Sequence, residues 1–174
     1  DVYKRQRLEF NLQDGFPLLT TKRVFWKGVV EELLWFIKGN TDSKILEEKG
    51  VNIWKGNSQK DFLVQTGKEH LTKVDGDCGA IYGYQWRHFN APYEDCNSDY
   101  TGQGYDQLQE CINLIKNDPT SRRILMSGWN PSQFKDMCLP PCHVSYQFYV
   151  NNNKLSCQMY QRSACLLYTS DAAD

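Results

Sequence analysis

Cys142 and Arg162 are the residues of this chain whose types and spacing point most directly to chemistry. Cys142 follows Leu139-Pro140-Pro141 and precedes His143, so two prolines stiffen the backbone into the thiol. An alternating run from Val144 to Val150 leads to Asn151-Asn152-Asn153, and asparagine tolerates the positive φ that hairpin turns need. The second run ends at Gln161-Arg162-Ser163 and alternates Leu155, Cys157 and Met159 against Ser156, Gln158 and Tyr160. With the loop at Asn151 to Asn153, Val150 faces Lys154, and that register sets Cys142 opposite Arg162 on one face. A guanidinium beside a thiol favours the thiolate, which is the nucleophile. Ser163 adds a hydroxyl, so Arg162-Ser163 can hold an anion beside it. A buried structural cysteine beside a surface arginine is the plainer alternative; the two prolines and the Arg-Ser step favour the reactive one.

Three further places carry candidate chemistry. Glu32 lies beside Trp35 and one turn before Phe36; a carboxyl against aromatics is desolvated and suited to proton transfer, although a solvated helix glutamate fits as well. Arg122-Arg123 stands at a strand start, where adjacent side chains point to opposite faces, so one flat patch cannot use both equally. His143 alternates with Cys142 along its strand and points away from it, which argues against a general base there. Cys138, Cys142 and His143 lack a second ligand pair at zinc spacing, so no metal site is expected.

The elements that must position these groups follow from periodicity. The pattern predicts a strand over 8–12, broken by Gly15-Phe16-Pro17, and a helix from Trp26 to Lys38 stopped by Gly39. Val29, Leu33 and Phe36, with Val30, Leu34 and Ile37, form its apolar face. A short helix is expected over 43–49, ended by Gly50, and a polar excursion with one short helix over 59–77. The stretch Asp77-Cys78-Gly79-Ala80-Ile81-Tyr82-Gly83-Tyr84-Gln85-Trp86-Arg87 reads as a glycine-rich loop allowing close backbone approach. A second main helix runs from Asp106 to Asn117, with strands at 124–129, 143–150 and 154–162. Strands and helices without strict alternation argue an α+β fold, a mixed β-sheet packed with helices.

Bulk properties set limits. The 174 residues are 40% hydrophobic and 13% aromatic, enough for one cored domain, and the net charge of −1 excludes DNA binding through general basicity. Any anion must be held by a local arginine cluster. No apolar run is long enough to span a membrane. Seven scattered cysteines without paired C-x-x-C spacing read as free thiols of a reducing, cytoplasmic compartment. Residues 1–6 and 165–174 resemble adaptor-derived tails, which leaves 7–164 as the domain, a piece of a longer protein.

Several blocks together resemble the thymidylate synthase family in its eukaryote-like form. They are Pro141-Cys142-His143, the run Leu155 to Ser163, Asp118-Pro119-Thr120-Ser121-Arg122-Arg123-Ile124, and Asn11 to Arg23; the likeness runs from about Arg7 to Ala164 without a large gap. The resemblance implies reductive methylation of dUMP to dTMP, with 5,10-methylenetetrahydrofolate consumed as carbon and hydride donor. It implies Cys142 as nucleophile, Glu32 in Glu32-Leu33-Leu34-Trp35-Phe36 as proton-transfer carboxylate, and Tyr82 near the reacting ring. It further implies Arg122, Arg123, His143, Gln161, Arg162 and Ser163 at the nucleotide, and Ile53, Trp54 and Asn57 at the folate. The two arginines at 122–123 then reach a neighbouring subunit's phosphate, so the protein is a homodimer with a shared site. Cys78 and Ala80 stand where the family usually has leucine and proline.

Two rivals stay open in the sequence. A deoxycytidylate hydroxymethylase shares the nucleophile and arginines, and the residues that separate the pair lie beyond 164. The other is an inactive nucleotide-binding fragment: the 174 residues by themselves are expected not to turn over dUMP, with the Leu155–Arg162 strand and the Val29/Leu33/Phe36 face short of packing partners. A stand-alone enzyme and a fusion with dihydrofolate reductase both fit these residues.

Overall fold

A computed structural model describes residues 7–18, 20 and 23–164, and the two expected tails and Leu19, Thr21 and Lys22 lie outside them. Five α-helices carry the first part: α1 (Trp26–Ile37), α2 (Lys44–Glu47), α3 (Lys60–Gln65), α4 (Tyr82–Arg87) and α5 (Gln107–Asn117). A three-stranded sheet follows in the order β1 (Leu125–Ser127), β2 (His143–Asn151), β3 (Lys154–Gln161). The class is α+β as expected, but every pairing among the described residues is antiparallel rather than mixed.

The helix ends follow local chemistry. Past the α1 C-terminus, the Gly39 N–H donates to the Phe36 carbonyl at 2.9 Å and the Asn40 N–H to Trp35 at 3.2 Å, with Gly39 at φ +74°. That pair of bonds closes the helix as a Schellman turn, for which glycine carries no Cβ penalty. Asp106 caps α5 by accepting from the Gln109 N–H at 2.9 Å.

Two sequence expectations are corrected at the first helices. No strand forms over 8–12; Asn11 instead accepts from the Gln13 N–H and starts a 3-10 turn, Leu12–Asp14. An alternating pattern makes a strand only when a partner supplies ladder bonds, and an asparagine side chain competes locally for the same amides. The α1 face also differs: Gly28, Trp35 and Phe36 are buried, whereas Leu33, Leu34 and Ile37 are exposed.

Helix α4 occupies what the sequence presents as a loop, and it is buried from Tyr82 to Trp86. A helix enclosed on all sides has no polar face and so no amphipathic period to detect. Gly83 admits it: a Cβ there would lie 2.7 Å from the Phe36 carbonyl oxygen of α1. Phe36 then packs at a tilt against Tyr82 with ring centroids 4.6 Å apart and edge-on against Trp86 at 5.6 Å.

The hairpin corrects the register in an instructive way. The turn is only two residues, Asn152 and Asn153, at φ 49° and 57°, so Asn151 pairs with Lys154 and Val150 with Leu155. Each pair is therefore displaced by one from the expected register. A bulge between His143 and Ser145 leaves Val144 as the extra residue and restores His143 opposite Gln161. The Arg162 N–H accordingly donates to the Cys142 carbonyl at 2.9 Å, as the expected Cys142–Arg162 pairing requires. β3 has little cover: Leu155 and Tyr160 are 55% and 61% exposed.

Candidate active site

Cys142 is 3% exposed at the entry to β2. Its N–H donates to the Tyr82 hydroxyl at 2.6 Å, a contact that joins α4 to the proline-led segment. The Tyr82 ring lies 5.5 Å from the His143 ring and 6.0 Å from Trp54. Trp54 in turn donates its indole N–H to Glu32 Oε1 at 2.7 Å. Glu32, Trp54, Tyr82, Cys142 and His143 thus form one connected wall, built from α1, the turn after α2, α4 and β2.

The Trp54 N–H fixes the orientation of the Glu32 carboxyl group beside Trp35 and Phe36. Trp54 is 3% exposed and packs against Trp35, Phe36 and Tyr82, so it buttresses the carboxylate rather than offering an open ring face. Ile53, at 41% exposure, is the neighbour with free apolar surface, and Asn57 is half-buried beside it.

Arg162 lies across from Cys142, but its guanidinium is engaged with backbone. Nε donates to the Pro141 carbonyl at 3.1 Å and a terminal nitrogen to Pro140 at 3.0 Å, with the Trp129 ring 6.0 Å away. A guanidinium has five N–H donors, so these two bonds hold it in place and leave others for an anion. Gln161 is half-buried and donates to the Ser163 carbonyl at 2.7 Å, which shapes the same end of β3.

Arg122 and Arg123 are not part of this cluster. Both are exposed, in a turn preceding β1 rather than on the strand. Gln147 donates to the Arg122 carbonyl at 3.5 Å and the Phe148 N–H to Ile124 at 2.8 Å, which places the pair five residues along β2 from Cys142. At about 3.3 Å per residue that is roughly 17 Å.

Three buried amides, none of them marked by periodicity or motif, brace the site from behind. Gln85 donates to the Ala80 carbonyl and to Gln133 Oε1 at 2.8 and 2.9 Å, Asn130 donates to Gln133 at 3.0 Å, and Gln133 donates to Ala91 at 2.7 Å. A fully satisfied buried network fixes the segment that leads into Pro140 and Cys142. Tyr146 is a further addition: its ring stands edge-on to Trp86 at 5.3 Å and burial pushes its phenol well up. Polar residues of this kind have no periodic signature, so composition could not reveal them.

The two departures from the family pattern, Cys78 and Ala80, are fully buried. The Ala80 N–H donates to the Asp136 carbonyl at 2.6 Å, a bond that a proline could not make. Among the described residues no group of His, Cys, Asp and Glu is placed to hold a metal ion, and no helix is long and apolar enough to cross a membrane.

The amino-acid sequence is similar to those of known proteins. The thymidylate synthase family profile matches residues 2–169. The chain is 61% identical over 158 residues to a bifunctional dihydrofolate reductase-thymidylate synthase of Zea mays, covering 91% of this chain and 30% of that protein. A protein of the same description from Paramecium tetraurelia is 58% identical over 158 residues, covering 91% and 34%. Thymidylate synthase of Homo sapiens is 60% identical over 154 residues, covering 88% and 49%. The chain thus spans between 30% and 49% of the length of these three relatives. A profile match over nearly the whole sequence, with the cysteine, tyrosine and glutamate gathered on one wall, establishes that the chain belongs to the thymidylate synthase family.

Proposed function

We propose that the protein methylates dUMP to dTMP with 5,10-methylenetetrahydrofolate, using Cys142 as a covalent nucleophile. The observation that carries this reading is the chain of bonds Glu32–Trp54 and Tyr82–Cys142 on one wall. As thiolate, Cys142 adds to C6 of the pyrimidine, and the electron pair moves to C5. Covalent addition divides a difficult substitution at a vinylic carbon into feasible steps. Tyr82, holding the Cys142 amide, keeps the sulfur in position, an entropic contribution to rate.

Glu32 moves protons through water at the ring and at C5, with Trp54 fixing which oxygen faces the pyrimidine. Arg162 and Ser163 hold the phosphate by charge-assisted hydrogen bonds, and His143 and Gln161 flank the nucleotide. The roughly 17 Å between Arg122-Arg123 and Cys142 along β2 supports their acting on a partner subunit's phosphate in a homodimer. The folate supplies the one-carbon unit and the hydride when bound. Exposed Ile53 and half-buried Asn57 suit its contact surface, with Trp54 behind them. Free thiols at all six described cysteines fit a reducing, cytoplasmic setting.

The test is dihydrofolate formation by the full-length protein with dUMP or dCMP as nucleotide. Turnover with dUMP alone, lost in Cys142→Ala, is expected. Turnover that survives Cys142→Ala contradicts the mechanism, and preference for dCMP contradicts the substrate.

A further inference from the structure

Cys78 and Cys138 belong to two segments that the site uses separately. The first runs from Cys78 into α4 and its Tyr82; the second runs from Cys138 through Leu139-Pro140-Pro141 to Cys142. These segments meet in an antiparallel bridge at Gly79–Met137, flanked by the Cys138 N–H donating to the Cys78 carbonyl at 3.0 Å and the Ala80 N–H donating to Asp136 at 2.6 Å. One step out from that bridge, Cys78 and Cys138 are direct cross-strand partners. Their side chains therefore share a face, with Cα atoms about 5.5 Å apart. That separation lies within the window for a disulfide, roughly 4.4–6.8 Å. Both are buried, at 0% and 2% exposure.

We propose that Cys78 and Cys138 form a reversible disulfide, closed by exchange with a small-molecule disulfide such as oxidised glutathione. One protein thiolate attacks the glutathione S–S bond, forming a mixed disulfide and releasing one glutathione thiol. The second protein thiolate attacks the protein sulfur of that mixed disulfide and releases the other glutathione. The protein gives up two protons and two electrons; oxidised glutathione takes up both and becomes two thiols.

Burial sets the rate of this exchange. It pushes the Cys78 thiol well up, and the adjoining Cys138 thiol adds to that, so little thiolate is present in the closed state. Exchange proceeds through local opening, which protects the pair from brief oxidation and registers a sustained change in thiol poise. Once closed, the bond ties together the same two segments that Tyr82 and Cys142 join by their hydrogen bond. It encloses a loop of roughly 60 residues, long enough to stabilise by restricting the unfolded chain.

The experiment incubates the full-length protein in a glutathione redox buffer with dilute urea, removes the urea, blocks free thiols and maps the peptides. The expected product is a Cys78–Cys138 peptide pair, two hydrogens lighter than its reduced form and reversed by a phosphine reductant. Thermal melting of that oxidised chain should rise by about 5–10 °C over the reduced chain. Cys138→Ala should abolish both the peptide and the rise. Absence of the Cys78–Cys138 peptide, its replacement by a Cys78–Cys96 link, or an oxidised chain that melts lower than the reduced one would overturn the proposal.

Discussion

The Arg162 amide donates to the Cys142 carbonyl at 2.9 Å while the Arg162 guanidinium reaches back to the carbonyls of Pro140 and Pro141. One arginine therefore closes the β2–β3 pairing with its backbone and braces the proline turn before the thiol with its side chain. A glutamine at 162 keeps the first contact and loses the second. Arg162→Gln should lower the melting temperature modestly through the two lost bonds, slow alkylation of Cys142 at neutral pH, and weaken nucleotide binding roughly 10–100-fold, the worth of a charge-assisted bond. The alkylation is read on the Cys142 peptide itself, because Cys157 is exposed, whereas burial pushes the Cys78 and Cys111 thiols up and Cys96 up to about 12. Unchanged alkylation in the variant would remove Arg162 from the activation of the thiol.

Glu32 and Trp54 can be separated by substitution. Glu32→Gln keeps an oxygen to accept the Trp54 N–H, so stability should move by less than about 1 kcal/mol, while turnover falls about 10²–10⁴-fold with loss of the proton carrier. Trp54→Phe removes the donor and some packing, and should lower stability by about 1–3 kcal/mol. Calorimetry paired with steady-state rates checks both. Equal losses of stability in the two variants would mean that Glu32 is held for structure rather than for proton transfer.

Asp77 gives a pH dependence with a defined sign. Burial raises its pKa, only partly opposed by the Tyr93 hydroxyl at 2.6 Å and the Gly79 N–H at 2.7 Å. The folded state then binds its proton more tightly than the unfolded chain, so this group's contribution to stability grows as pH falls from neutral and is complete below the unfolded value near 3.8. Asp77→Asn retains both acceptor contacts and titrates nothing. Melting temperatures of the two proteins between pH 7 and 4 should show the wild type gaining on the variant as pH falls. Parallel curves would mean that Asp77 is not strained by its ionisation.

If Arg122 and Arg123 serve a partner's phosphate, two defective subunits complement each other. Mixing Cys142→Ala with Arg123→Ala subunits assembles one site with both its own cysteine and an intact partner arginine. Activity in verified mixed dimers should approach about half of wild type, since one of the two sites is rescued. Mixed dimers as inactive as either parent would place the phosphate contacts within one subunit.

Much of the candidate site was legible because chemistry-bearing residues sit on strong local signals. Cys142 after two prolines, Arg162 at the end of an alternating run and Glu32 on a periodic helix all occupy a hairpin and a helix that do form, although the hairpin's register and the helix's buried face differ from the reading. The hairpin shows how such a reading can reach the right pair by a wrong route. The two-asparagine turn shifts the register by one, and the Val144 bulge, which no local propensity announces, shifts it back. What stayed hidden depends on tertiary contact. α4 has no polar face, Gln85, Asn130 and Gln133 satisfy one another only when folded, and the 8–12 segment alternates without a partner strand. Trp54 carried no signal of its own role, because its importance is the single bond to Glu32.

The most direct test is to trap the nucleotide on the chain. With 5-fluoro-dUMP and 5,10-methylenetetrahydrofolate, the C5 substituent cannot leave as a proton, so the covalent adduct persists. Peptide mapping of the full-length protein should place that adduct on Cys142, with no labelling in Cys142→Ser and slowed labelling in Tyr82→Phe, which loses the oxygen that holds the Cys142 amide. An adduct on another cysteine, or labelling that survives Cys142→Ser, would contradict Cys142 as the nucleophile.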